Sequence, residues 1–342
     1  MTDPIWKLDN VSLLSGRTAR LSEVGLSIQS GITAVLGASG AGKSSLLSLL
    51  AGFEKPTSGS LEFSPQPGAG QLPLFWSPQD HGLWPKLTAR EHLAAVRPDA
   101  PQIERSVDEW LALLRLDAVA DALPHCLSQG ERSRLSLGRA LVSEAACLVL
   151  DEPLAHVDPI HCRSYLDLIA DHAKSLGGTI VFSTHDPASV LRIAEHVVCL
   201  SETRCVFSGS INELYFNPPT EETAWLLGPA NWIAEEDGWL RAAIDGAPPV
   251  CVRPQEFVVF DLSESATGAS TGSLELISER DTGELRELTV RDSSDTAAVV
   301  LTTHRPLSAS PGSRIQLQFL PDVLRESAAS TRESCGAAEQ FG

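Results

Sequence analysis

Short blocks of nearly unbroken apolar sequence recur along the first part of the chain: Ile32 to Leu36, Cys147 to Leu150, Thr179 to Ser183 and His196 to Leu200. A strand covered on both faces has no polar side, so blocks of this length predict buried strands rather than half-exposed ones. Between them lie segments with apolar residues at helical spacing, such as Ser44 to Leu50. Strands and helices in alternation predict a parallel sheet with helices on its faces. From about residue 86 to 143 only helical pattern remains, including Ile103 to Leu116, which reads as a helical subdomain inserted into the sheet domain.

After Gly228-Pro229 the pattern shifts to short alternating segments separated by turn residues: Trp239 to Ile244, Val250 to Val252, Phe257 to Leu262, Ser273 to Ile277, Leu285 to Val290, Ala297 to Leu301 and Ile315 to Phe319. Alternation at period two predicts a small all-β domain, a barrel or a sandwich. Ser64 to Pro73 and Ser263 to Ser273 are rich in turn-forming residues and read as loops. The expected organisation is a first domain over residues 1–228, a β domain over 229–323, and a tail over 324–342 with too little to bury to be ordered.

Composition narrows the class. A chain of 342 residues with 43% hydrophobic residues has material for about two cores. No apolar stretch approaches the roughly 18 residues a membrane helix needs. Met1-Thr-Asp-Pro-Ile-Trp-Lys7 has neither the basic region nor the apolar block of a signal peptide, so a cytoplasmic location is expected. A formal charge of −18 argues against a general nucleic-acid surface, which needs clustered Lys and Arg, while leaving docking on a membrane protein open. The seven cysteines are scattered without a C-x-x-C pair, so neither a disulfide framework nor a zinc site follows.

Candidate chemistry sits at the ends of the apolar blocks. Gly37-Ala-Ser-Gly-Ala-Gly-Lys43-Ser44 follows the first block, precedes a helical run, and matches G-x-x-x-x-G-K-[ST] at every fixed position. In that context glycine lets backbone N–H groups curl around a polyphosphate, and the helix adds its positive N-terminal end. Gly37, Ser39, Gly40, Ala41, Gly42, Lys43, Ser44 and Ser45 are therefore expected to bind nucleotide, with Lys43 on the β and γ phosphates and the Ser44 hydroxyl on magnesium. The second block ends in Asp151-Glu152. Two acids after a strand can simply cap a turn, but ligands in such sheets lie beyond the carboxyl ends of strands. Asp151 is expected to hold magnesium, directly or through water, and Glu152 to polarise an attacking water. Gln79, between a strand-like run and the helical insert, offers an uncharged amide to magnesium or to that water. His185, after Ile180 to Thr184, is placed to donate a hydrogen bond to a γ-phosphate.

Leu127-Ser-Gln-Gly-Glu131, Arg139-Ala-Leu141, Asp151-Glu-Pro153, Leu154 to Asp158 and Ser183-Thr-His-Asp186 follow in an order and spacing that resemble the ATP-binding subunits of ABC transporters over about the first 228 residues. The fold this implies is α/β: a P-loop NTPase of the ABC cassette type with an inserted helical subdomain. By the same resemblance ATP and Mg2+ are the cofactors, and Ser128, Gln129 and Gly130 face the γ-phosphate bound by a second copy. Asp158 then belongs to the loop crossing between the copies, and Gln79 to Pro85 relays nucleotide state to a membrane partner. Gly228-Pro-Ala-Asn-Trp232 and Val252-Arg-Pro-Gln-Glu256 are similar to the accessory β domain called TOBE, of an OB-like type, found in importers of iron, polyamines, sugars and oxyanions.

The resemblance thus implies an ATP-hydrolysing importer subunit that closes as a homodimer. It would lie on the inner face of the membrane, with permease subunits and an extracytoplasmic solute-binding protein as partners and no nucleic acid. An ABC ATPase with soluble partners and an exporter ATPase are the alternatives. Three positions depart from the family: Ser15 stands where an aromatic residue often stacks on adenine, Gln129 where the signature often has a second glycine, and Pro187 where importers commonly have glutamine. Trp6, in a preceding strand-like segment, reads as a packing residue.

Overall fold

The apolar blocks form the middle of a six-stranded sheet. The structure, a computed structural model, describes residues 3–98, 105–234, 237–245, 250–261, 274–292, 298–304 and 309–319. The chain divides into two compact units, Met1–Ile211 and Asn212–Gly342.

The first unit begins with strands β1 (Trp6–Ser15) and β2 (Thr18–Ile28), followed by β3 (Ile32–Leu36) and helix α1 (Lys43–Leu50). Next come β4 (Ser58–Phe63), β5 (Phe75–Ser77) and the helices α2 (Ala89–Val96), α3 (Val107–Leu113) and α4 (Gln129–Val142). The unit continues with β6 (Cys147–Leu150), α5 (Pro159–Leu176), β7 (Thr179–Ser183), α6 (Pro187–Ile193), β8 (His196–Ser201) and β9 (Arg204–Ser210). The main sheet runs β5-β6-β7-β3-β8-β9, parallel except for the antiparallel edge strand β9. All residues of β3, β6 and β7 are buried, which is why their sequences carry no polar alternation. A separate antiparallel sheet, β2-β1-β4, packs beside α1 in one core with Leu46, Leu47, Leu49 and Leu50. Trp6 is fully buried there, stacked on Phe63 at 4.9 Å with its indole N–H donating to the Leu50 carbonyl at 3.0 Å.

Helix ends follow local chemistry. Thr88, Ser106 and Ser128 open α2, α3 and α4 with complete capping boxes, their partners being Glu91, Glu109 and Glu131. Helical pattern from Ile103 to Leu116 yields α3 and a following turn; residues 99–104 lie outside the described residues.

The second unit contains α7 (Ile211–Phe216, shared with the end of the first), α8 (Glu221–Trp225), β10 (Asn231–Trp232), α9 (Gly238–Ala243), β11 (Ile244–Asp245) and β12 (Cys251–Val252). It ends with β13 (Phe257–Asp261), β14 (Leu274–Asp281), β15 (Arg286–Asp292), β16 (Ala298–Thr303) and β17 (Arg314–Phe319). Its main sheet follows β11-β17-β14-β15-β16, with β13 also on β17. Trp239 to Ile244 is a correction: it is helix α9 and the start of a two-residue strand, not an alternating strand. Six residues fit either period, and Leu240 in the β core supplies the contact that decides.

The unit boundary also falls ahead of Gly228-Pro229, where the sequence pattern changes. Arg253, 1% exposed, donates to the carbonyls of Tyr215, Ala224, Gly228 and Pro229, and lies over the Tyr215 ring at 4.2 Å. These bonds hold the helical residues after 211 to the β unit. The Ser263 to Ser273 loop and the tail lie outside the described residues.

Candidate active site

Parallel pairing brings the strand ends to one edge. Val35 is in register with Ser183, and Leu150 with both Phe182 and Ser77. The segments that follow β3, β5, β6 and β7 therefore emerge side by side, the position where ligands bind in such sheets. A cavity of about 420 Å³ opens there, lined by Ser39, Gly40, Gly42, Lys43, Ser44, Ser45, Gln79, Glu152 and His185 together with Thr18, Ala19 and Arg20.

The loop between β3 and α1 is shaped by glycine. Gly42 has φ 105°, in the left-handed region, and a β-carbon there would lie 2.7 Å from the Arg20 carbonyl oxygen and 2.8 Å from Leu21 Cδ2. Lys43 is buried and its ammonium folds onto its own loop, donating to the carbonyls of Gly37 at 2.8 Å and Ala38 at 3.0 Å. Burial lowers its pKa from the ordinary value, against the opposing influence of Glu152 and Asp151.

Asp151 is buried, and its Oδ1 accepts from the Ser183 hydroxyl at 2.6 Å. The same hydroxyl oxygen accepts from the Glu152 backbone N–H at 2.9 Å. Ser183 thus latches both acids to the end of β7. Glu152 needs such support, because its φ of 49° is left-handed and costs a non-glycine residue on the order of 1–3 kcal/mol. Its carboxylate meets His185 Nε2 at 2.5 Å. Ser44, Gln79 and Asp151 also share the lining of an adjoining groove of about 740 Å³. A hydroxyl, an amide oxygen and a carboxylate are hard oxygen donors of the kind magnesium takes, so these residues fit that ion. Among the described residues no group of three His, Cys, Asp or Glu is placed to hold a metal ion.

Other candidates lie elsewhere. Gly37 and Ala41 are buried beneath the loop and do not line the cavity. Ser128 and Gln129 are exposed at the start of α4, with the Ser128 hydroxyl and backbone N–H both donating to Glu131 at 2.7 Å. Gly130 abuts the loop after β6: a β-carbon there would come within 2.8 Å of the His156 carbonyl oxygen. Asp158 caps α5, accepting from Ile160 N–H at 3.0 Å. None of Ser128, Gln129, Gly130 and Asp158 lines the cavity. Pro187 occupies the first turn of α6, where its missing N–H costs nothing, and Asp186 caps the helix through Ala188 and Ser189.

Sequence reasoning missed Ser183 as a latch and Thr18, Ala19 and Arg20 as cavity wall. Among the described residues neither Ser15, the position where the family often has an aromatic residue, nor any Phe, Tyr or Trp lines the cavity.

A family profile described as ABC transporter matches residues 21–155. A sulfate/thiosulfate import ATP-binding protein of Pectobacterium atrosepticum is 32% identical over 238 residues, spanning 66% of this chain and 72% of that protein. A spermidine/putrescine import ATP-binding protein of Nitratidesulfovibrio vulgaris is 30% identical over 295 residues, spanning 77% and 79% respectively. Among solved structures, a dimeric ATP-binding cassette in a post-hydrolysis state with ADP and phosphate is similar in fold, with a TM-score of 0.51 at 23% identity over 60% of this chain and 98% of that one.

Proposed function

The chain belongs to the ATP-binding proteins of ABC transporters, and from that premise we propose that it is the ATP-hydrolysing subunit of a solute importer, working as a dimer of half-sites. The observation that carries this reading is the separation just described: Lys43, Ser44, Gln79, Glu152 and His185 converge on one cavity, while Ser128 to Gly130 stand outside it on an exposed helix start.

In this reading the loop from Gly37 to Ser45 takes the phosphates, and Lys43 exchanges its two loop carbonyls for phosphate oxygens. Magnesium, held by Ser44, Asp151 and Gln79 with the nucleotide, would neutralise charge on the phosphates. Glu152 accepts the proton of the attacking water, and His185 positions the Glu152 carboxylate through their 2.5 Å contact. Ser128 and Gly130 of a second copy complete the cavity, the dipole of α4 adding positive potential at its N-terminus. Closing two copies around ATP supplies the differential affinity that drives a membrane partner between two states.

Relatives named for an anion and for a polycation are similarly close, at 32% and 30% identity, which supports assigning solute choice to permease subunits and a solute-binding protein rather than to this chain. No helix among the described residues is long and apolar enough to cross a membrane. In this reading the chain attaches through the permease, on the inner face. The second unit is read as a TOBE-type accessory domain of OB-like character that braces the dimer. The test is purification of the tagged protein from its own membranes in mild detergent: polytopic subunits are expected to accompany it, and recovery with soluble partners alone would overturn the importer reading.

A further inference from the structure

The cavity wall has a gap in its assignment. Ser39, Gly40 and Gly42 to Ser45 serve the phosphates, and Gln79, Glu152 and His185 serve the reacting end, which leaves Thr18, Ala19 and Arg20 for the base and ribose. Of these only Arg20 carries a planar group. Its position is fixed by bonds at its edge: Nε donates to the Ser45 hydroxyl at 3.0 Å and Nη1 to Glu54 Oε1 at 2.6 Å. Glu54 is held in turn by the Ser48 hydroxyl at 2.6 Å, and these two donors, Arg20 foremost, keep its carboxyl below the usual range and therefore ionised. Bonds of this kind lie in the guanidinium plane and leave its faces for contact. The side chain remains 34% exposed while lining the cavity. Because Glu54 balances its charge, the group is better suited to act as a flat surface than as a phosphate clamp.

We propose that Arg20 is the stacking platform for the nucleotide base, its guanidinium plane doing what an aromatic ring would otherwise do. This rests on the ATP-binding reading above. A guanidinium face stacks on any base and reads no edge, so purine selectivity is weak.

The test is equilibrium binding of ATP, GTP and inorganic tripolyphosphate to the full chain and to Arg20→Ala, Arg20→Lys and Arg20→Trp. ATP and GTP are expected to bind wild type within about threefold of each other, since stacking is indifferent to base identity. Arg20→Ala and Arg20→Lys are each expected to weaken ATP about tenfold while leaving tripolyphosphate within about twofold, and Arg20→Trp to hold ATP at or above wild-type affinity. An equal loss for tripolyphosphate would make Arg20 a brace for Ser45 and overturn the proposal. So would wild-type affinity in Arg20→Lys, weak ATP binding in Arg20→Trp, or strong rejection of GTP. If wild type bound neither ATP nor tripolyphosphate, the nucleotide reading itself would fall; unaltered ATP binding in all three variants would remove Arg20 alone.

Discussion

Two faces of the first unit handle the same candidate ligand in opposite ways. One is concave, with Lys43 at 6% and Asp151 at 4% exposure, the Lys43 ammonium donating to two loop carbonyls and Asp151 accepting from Ser183. The other is an open helix start, where Ser128 and Gln129 are exposed and the Ser128 hydroxyl donates to its own Glu131. A buried face can be preorganised by its own chain. The exposed one is capped by its own chain but lies outside the cavity, so on the proposed reading it reaches nucleotide only when a second copy brings it there. On the proposed reading, closure rather than binding is the step that switches on hydrolysis.

Breaking the concave face at its reacting group gives the largest effect. Glu152→Gln is expected to lower ATP turnover by at least about 100-fold, in the range of a lost general base, while ATP-bound dimer accumulates on gel filtration. Normal turnover would remove Glu152 from the role. Ser128→Arg attacks the open face instead: ATPase activity is expected to fall more than about tenfold, because an unpaired arginine is costly to bury. Binding of ATP to the isolated chain should not change. Equal loss of binding would show that the two faces are not separate.

The latch can be loosened without touching ligand. Ser183→Ala removes one donor and one acceptor from a buried network and is expected to cost about 1–3 kcal/mol in denaturant unfolding, with lower kcat because Glu152 loses its backbone anchor. Gly130→Ala sharpens the reading of the open face with the smallest effect. Its β-carbon would press on the His156 carbonyl, so a loss of about 1 kcal/mol is expected without nucleotide, after a partial offset from alanine's helix propensity. A variant that is stable alone but fails to dimerise would instead assign this glycine wholly to the partner.

Much of this was legible in the sequence. The bounds of β3, β6 and β7 match the apolar blocks residue for residue, since burial on both faces leaves no ambiguity of period. The glycine positions of the loop between β3 and α1 were legible because Gly37, Gly40 and Gly42 all take positive φ. The Ser183 latch was not: it joins residues 31 and 32 positions apart, and only the pairing of β6 with β7 brings them together. Arg20 was hidden likewise, since its role depends on how β2 lies against α1 and no local pattern encodes that. The Trp239 to Ile244 misreading has the opposite cause, a segment too short for its period to decide.

The four carbonyls gathered by Arg253 bear on how this protein can be cut and recombined. A cassette truncated at the compositional seam after residue 228 would carry away Tyr215, Ala224 and Gly228 and strand the arginine that binds them. Its remaining half would hold a buried cation stripped of most of its acceptors. The modular joint lies instead near Ile211, so any exchange of the β unit between relatives should move its two preceding helices as part of the same cargo.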